Sequence, residues 1–161
     1  MATVIKVGMA DLNVARSPDI LQTCGLGSCV GICLWDSMTK VAGMAHIMLP
    51  ESTQCKNRGN EAKFADTALP LLIENMVKLG ANKSRMVAKI AGGAQMFSFY
   101  GSNDIMRIGE RNAEAVKIAL EKAKIMLIAR DTGGNYGRTI EFSSVDGMLH
   151  IRTINVGESI I

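Results

Sequence analysis

Aromatic side chains are scarce in this chain: one tryptophan, two tyrosines and four phenylalanines among 161 residues. A core with few rings must be filled by small and aliphatic groups, and eleven methionines supply adaptable ones. Long apolar runs are also absent. Stretches such as Ile125 to Ala129 fall far short of the roughly 20 residues a membrane-spanning helix needs, so no membrane insertion is expected. The opening Met1-Ala2-Thr3-Val4-Ile5-Lys6 lacks the basic start, apolar stretch and cleavage site of a secretory signal, which leaves a cytoplasmic location as the expectation. No block of like charge occurs. The 18 basic and 15 acidic residues are scattered and leave a net charge of +3, a pattern that does not fit a nucleic-acid partner. In a reducing compartment Cys24, Cys29, Cys33 and Cys55 are expected as free thiols rather than a disulfide framework. The first three are spaced by five and four residues, with no Cys-x-x-Cys element, so no metal site is expected.

What is present is the balance of a soluble globular protein, 48% apolar and 20% charged. With no repeat, linker or low-complexity tract, residues 1–161 read as a single domain. Thr3 to Ala15 reads as one or two strands broken near Gly8, and Ile20 to Thr23 as a short strand ending in Gly25-Leu26-Gly27. Ser28 to Trp35 and Lys40 to Leu49 are apolar and β-prone around the polar Asp36-Ser37-Met38-Thr39, which predicts a β-hairpin. Phe64, Ala68, Leu72, Met76 and Leu79 mark a helix from Asn60 to Leu79 that Gly80 caps and Pro70 bends or interrupts. Ala113, Val116, Ala119, Leu120 and Ala123 mark a second, from about Glu110 to Lys124. Met86–Ala91, Met126–Ala129, Arg138–Ser144 and Met148–Ile154 are the remaining predicted strands.

The first hairpin carries chemistry. Closing Trp35 against Lys40 sets Cys29 directly opposite His46, with Gly31 and Met44 flanking them and Val30, Ile32, Leu34, Val41, Gly43 and Ala45 on the other face. Opposed residues have Cβ atoms about 4.5–5.5 Å apart, near enough for a thiol to meet an imidazole. A free thiol is only slightly ionised at neutral pH. An adjacent imidazolium would hold it as thiolate, able to attack a carboxamide and expected to alkylate ahead of Cys24 and Cys33. Backbone N–H groups of Gly25-Leu26-Gly27-Ser28 would receive the oxyanion, and His46 would return its proton to departing ammonia. Each residue also has an ordinary reading: a buried cysteine is a small apolar group, a lone histidine a core residue, and a glycine-rich turn only a turn.

Thr23-Cys24-Gly25-Leu26-Gly27-Ser28-Cys29-Val30-Gly31 and Gly43-Met44-Ala45-His46-Ile47-Met48-Leu49-Pro50 closely resemble the defining motifs of CheD, the chemoreceptor glutamine deamidases. Lys63-Phe64-Ala65-Asp66, Lys89 to Phe97, Ile108-Gly109-Glu110-Arg111-Asn112 and Asp131-Thr132-Gly133-Gly134-Asn135 extend the resemblance over nearly the whole chain. The resemblance implies Cys29 as nucleophile, His46 as its base and Thr23 as support for the histidine, with no cofactor. It implies a mixed α/β fold of the α+β type, with a layered, β-sandwich-like core and two main helices, related to the catalytic domains of deamidating toxins. Implied partners are methyl-accepting chemotaxis receptors, as substrates, and a CheC-type phosphatase. Gly93, Gln95 and Phe97 would border the site or a partner surface, while Arg111-Asn112, at a helix start, divides between a capping or salt-bridge role and a substrate role. Two other functions stay open: a module binding CheC or receptors with secondary or no catalysis, and another thiol amidohydrolase or transglutaminase, which differs in what accepts the acyl group.

Overall fold

The computed structural model describes residues 1–54, 59–96 and 107–161. Among the described residues, ten strands form two five-stranded sheets. The first has the order β1 (Val4–Lys6), β3 (Ile20–Leu26), β8 (Arg138–Ser143), β9 (Leu149–Thr153), β10 (Gly157–Ile160). The second runs β2 (Leu12–Arg16), β5 (Val41–Ile47), β4 (Val30–Asp36), β6 (Met86–Gly92), β7 (Met126–Thr132). Helices α1 (Ala65–Lys78) and α2 (Ile108–Lys122) pack on one face of the second sheet. None of the described helices is long and apolar enough to cross a membrane.

Two apolar clusters follow from this layering. Val30, Ile32, Leu34, Ala45 and Ile47 meet Leu69, Leu72, Met76, Val116 and Leu120 beneath the helices. On the sheet's other face Cys29, Cys33, Met44 and Ala91 meet Leu21, Leu26, Ile140 and Phe142 from the first sheet. The second sheet is therefore covered on both sides, which is why all seven residues of β5 are buried and all but His46 are apolar or glycine. By contrast β9 alternates buried and exposed residues, because only one of its faces meets the core. The mixed α/β, two-helix reading holds, in the form of two sheets with the helices on one side.

The hairpin register differs from expectation. β4 and β5 pair Asp36 with Val41, so His46 lies opposite Gly31 and not opposite Cys29. The polar Asp36 reads as the first loop residue, yet it is fully buried as the last residue of β4. Its carboxylate accepts hydrogen bonds from the Met38 and Asn82 amides and from Arg85. Burial alone would raise this carboxyl's pKa, but those donors together with Thr39 outweigh it and hold the group well below the usual carboxylate range. The turn is Ser37 to Lys40, closed by Lys40 N donating to Asp36 O at 2.9 Å with Lys40 in the left-handed region at φ +56°. The displacement is two residues, an even number, so every side chain keeps its face.

Both helix ends have local causes. The helix expected from Asn60 begins at Ala65. Asn60 instead caps a short 3-10 turn, Glu61–Lys63, by accepting from the Ala62 amide. α1 continues through Pro70 and closes with Gly80 at φ +104°, where Gly80 N donates to Val77 O and Ala81 N to Met76 O. β10 was not foreseen: all four of its residues are exposed and only its ladder to β9 defines it.

Candidate active site

Cys29 immediately precedes β4 and His46 is the next-to-last residue of β5. With His46 across from Gly31, Cys29 becomes its diagonal neighbour on the face turned toward the first sheet. Such neighbours lie within reach of a long side chain. Gly31 leaves the space between them free of a side chain, and a Cβ there would meet Ile140 Cδ1 at 2.7 Å.

Thr23 comes from the opposing sheet. Its Oγ1 lies 2.7 Å from His46 Nδ1 and 2.7 Å from Val7 O. A carbonyl oxygen can only accept, so the hydroxyl's one proton goes to Val7 O, and Nδ1 must carry a proton that it donates to Thr23. The neutral ring then presents a bare lone pair at Nε2. That atom is buried and has no hydrogen-bond partner among the described residues. His46 is 0% exposed and Thr23 2%, whereas Cys29 at 7% is the member of the three with most access to solvent.

Burial governs both protonation states. It pushes the Cys29 thiol above its ordinary pKa, partly offset by the residue's own backbone N–H, and pushes the His46 imidazole below its ordinary value. Burial thus favours the uncharged thiol and the neutral imidazole over the expected thiolate–imidazolium pair. Cys33 is fully buried and its thiol is pushed up further, the positive charge of Lys89 offsetting burial only in part. Cys24 is exposed, and Cys55 lies outside the described residues.

The loop ahead of Cys29 is held by its carbonyls. Gly27 O accepts from Ala94 N at 2.9 Å, Ser28 O from Asn112 Nδ2 at 2.9 Å, and Cys29 O from Gly93 N at 2.8 Å. Of the expected site loop, Gly25 is exposed at φ +73°, Gly27 and Ser28 are half-buried, and the Gly27 amide is engaged with Gly25 O at 3.0 Å. Gly92 is required: at φ +115°, a Cβ would come within 2.2 Å of Cys29 O. Gly93 therefore borders the Cys29 peptide, and Gln95 N continues to Gly134 O at 2.9 Å. Phe97 lies outside the described residues.

Two further residues border the site: Asn112, whose expected place at a helix start the structure corrects, and Arg138, which carries no signal in the sequence. Asn112 is fully buried within α2 instead of capping its start, and its amide donates to both Ser28 O and Met48 O, at 2.9 and 2.8 Å. Its only sequence signal is its place in Gly109-Glu110-Arg111-Asn112, where Gly109 lets the helix meet the Gly93-Ala94 backbone. Arg138, also buried, donates from Nη2 to Asp131 Oδ1 at 3.0 Å and from Nη1 to Gly92 O at 3.4 Å. A separate groove between α1 and α2, about 710 Å³ and lined by Leu69, Ile73 and Ile118 among others, includes neither Cys29 nor His46.

A family model described as CheD chemotactic sensory transduction matches residues 48–153. A protein of Syntrophomonas wolfei named a probable chemoreceptor glutamine deamidase CheD is 58% identical over 161 residues, all of both chains. The chain belongs to the CheD family. A CheD of Halalkalibacterium halodurans, named a chemoreceptor glutamine deamidase, is 55% identical over 159 residues and 98% of each chain. The CheD of Caldanaerobacter subterraneus, named a probable enzyme of the same kind, is 57% identical over 154 residues, 96% of this chain and 95% of its own. The family model begins after Cys29 and His46, but the similarity to these CheD proteins extends across both.

Proposed function

We propose that this chain deamidates selected glutamine side chains of chemotaxis receptors to glutamate, with Cys29 as nucleophile, His46 as base and Thr23 as the group that orients it. The observation that carries this reading is the directed hydrogen-bond chain His46 Nδ1–H to Thr23 to Val7 O, which leaves Nε2 bare on the face shared with Cys29. Relatives along the full length that bear the deamidase name support it.

The chemistry runs from a neutral pair. Nε2 takes the Sγ proton as sulfur bonds to the carboxamide carbon, and the carbonyl electron pair moves to oxygen. The oxyanion collapses, the C–N bond breaks, and the imidazolium returns the proton so that ammonia leaves and a thioester remains. Water, deprotonated by Nε2, then attacks the thioester; the C–S bond breaks and glutamate and the free thiol result. Burial supports concerted proton transfer, because neither partner is stable as an ion beforehand. Family resemblance adds a CheC-type phosphatase as partner, a cytoplasmic setting where thiols stay reduced, and kinship of the fold with deamidating toxins.

The test is incubation with purified receptor cytoplasmic fragments, followed by peptide mass spectrometry for conversion of glutamine to glutamate. Cys29→Ala should abolish the conversion, and full activity in that variant would reject the mechanism. Supplying a primary amine distinguishes hydrolysis from transglutamination, since incorporation of the amine instead of water would reassign the reaction.

A further inference from the structure

We propose that Asn112 is a positioning residue: by gripping the Ser28 carbonyl it aims the Cys29 backbone N–H at the place where the substrate oxygen becomes negatively charged. This deepens the reading of Cys29 as nucleophile and rests on it.

Three successive carbonyls fasten the loop: Gly27 O to Ala94 N, Ser28 O to Asn112 Nδ2, and Cys29 O to Gly93 N. Only the middle one is held by a side chain. In a trans peptide the C=O and the following N–H point in opposite directions, so fixing Ser28 O toward α2 turns the Cys29 N–H away from α2. The same N–H favours the ionised form of its own residue's sulfur, as expected if it faces that atom. A carbonyl carbon bonded to that sulfur would carry its oxygen within range of the same donor, which is how preorganised backbone amides stabilise acyl-transfer intermediates.

The second Asn112 proton goes to Met48 O at 2.8 Å, two residues beyond His46. One amide group thus ties the chain just before the nucleophile to the chain just after the base. Both partners are carbonyl oxygens, so the NH₂ end must face them, and Oδ1 is left buried without a partner among the described residues. An unpaired buried oxygen weakens the fold, and an apolar residue would avoid it. Placement of the two strands' ends accounts for an amide at this position where packing alone does not.

The experiment compares Asn112→Ala, Asn112→Asp and Leu120→Ala with Cys29→Ala, all in the full chain, on a receptor cytoplasmic fragment. Leu120 lies on the same helix and in the core beneath the second sheet, where it serves as a stability control. Asn112→Ala is expected to lower kcat about 10²-fold with KM nearly unchanged. Leu120→Ala should lower Tm at least as much while keeping kcat below the melting range. Asn112→Asp presents a carboxylate to two carbonyls, and protonation restores one donor, so its kcat relative to the parent should rise as pH falls from about 8 to 6. A folded Asn112→Ala with near-parental kcat, loss of activity only in proportion to unfolding, or failure of both Asn112 variants to fold would each overturn the proposal. Cys29→Ala separates the two ideas. If it stays active the nucleophile reading itself fails, whereas an inactive Cys29→Ala beside a fully active Asn112→Ala sinks only this inference.

Discussion

Thr23 and His46 approach from different sheets, and the 2.7 Å contact between Thr23 Oγ1 and His46 Nδ1 selects the imidazole tautomer. Because Val7 O takes the hydroxyl proton, also at 2.7 Å, the ring has no choice but to donate through Nδ1. The tautomer is thus set by a carbonyl that does not touch the ring.

Thr23→Val keeps the shape but removes that acceptor. It is expected to lower kcat/KM by about 10²-fold and stability by about 1–3 kcal/mol, since a buried N–H loses its partner. Thr23→Ser should retain most activity. Steady-state kinetics and urea unfolding check both, and parental kcat/KM in Thr23→Val would remove the orienting role.

The pH dependence follows from the burial of both groups. With the imidazole below its usual value and the thiol above its own, kcat/KM should be flat from under roughly pH 6.5 to over roughly pH 8.5, falling on the acid side as His46 protonates. The two groups cost stability at opposite ends of the pH range. As pH drops below the unfolded imidazole value, the unfolded chain binds the proton first and the fold loses stability. As pH rises past the unfolded thiol value, the unfolded chain releases its proton first, and again the fold loses stability. Thiolate absorbance from Cys29 in the resting protein at pH 7 would contradict this picture.

Cysteine labelling should follow access rather than nucleophilic role. Iodoacetamide is expected to modify exposed Cys24 first, Cys29 more slowly, and Cys33 only after unfolding, as read by peptide mapping over time. Labelling of Cys33 in the folded protein at the rate of Cys24 would show that the inter-sheet core is open.

Gly92 and Gly25 provide a matched pair, both at positive φ. Gly25→Ala meets nothing within 4 Å and should cost only the strain of the left-handed conformation, about 1–2 kcal/mol. Gly92→Ala drives a Cβ into Cys29 O and should cost roughly 3 kcal/mol or more, with loss of activity. Denaturant titration of the two variants tests the ordering, and equal costs would mean that the Gly92 contact can relax.

Much of the fold is legible in the sequence, because buried elements declare themselves through apolar periodicity. α1, α2, β4, β5 and β6 all stand near where that pattern puts them. β10 is invisible because its residues are exposed and it is defined by pairing alone. The hairpin register failed at Asp36, whose polarity signals a loop while its carboxylate is satisfied inside the protein by Arg85 and Asn82. Those partners lie more than forty residues away, and no local pattern announces them.

The sequence by itself determined the family and put Cys29 and His46 on one face of the β4–β5 ribbon, since alternation along a strand survives an even slip in register. Tertiary structure alone decided the rest: that Val7 and Thr23 set the tautomer of His46, that burial favours the uncharged thiol and imidazole, and that Asn112 from α2 grips the loop before Cys29. These depend on which distant backbone oxygens approach a side chain and on how much water the packed sheets exclude, and both are properties of the assembled layers rather than of any segment.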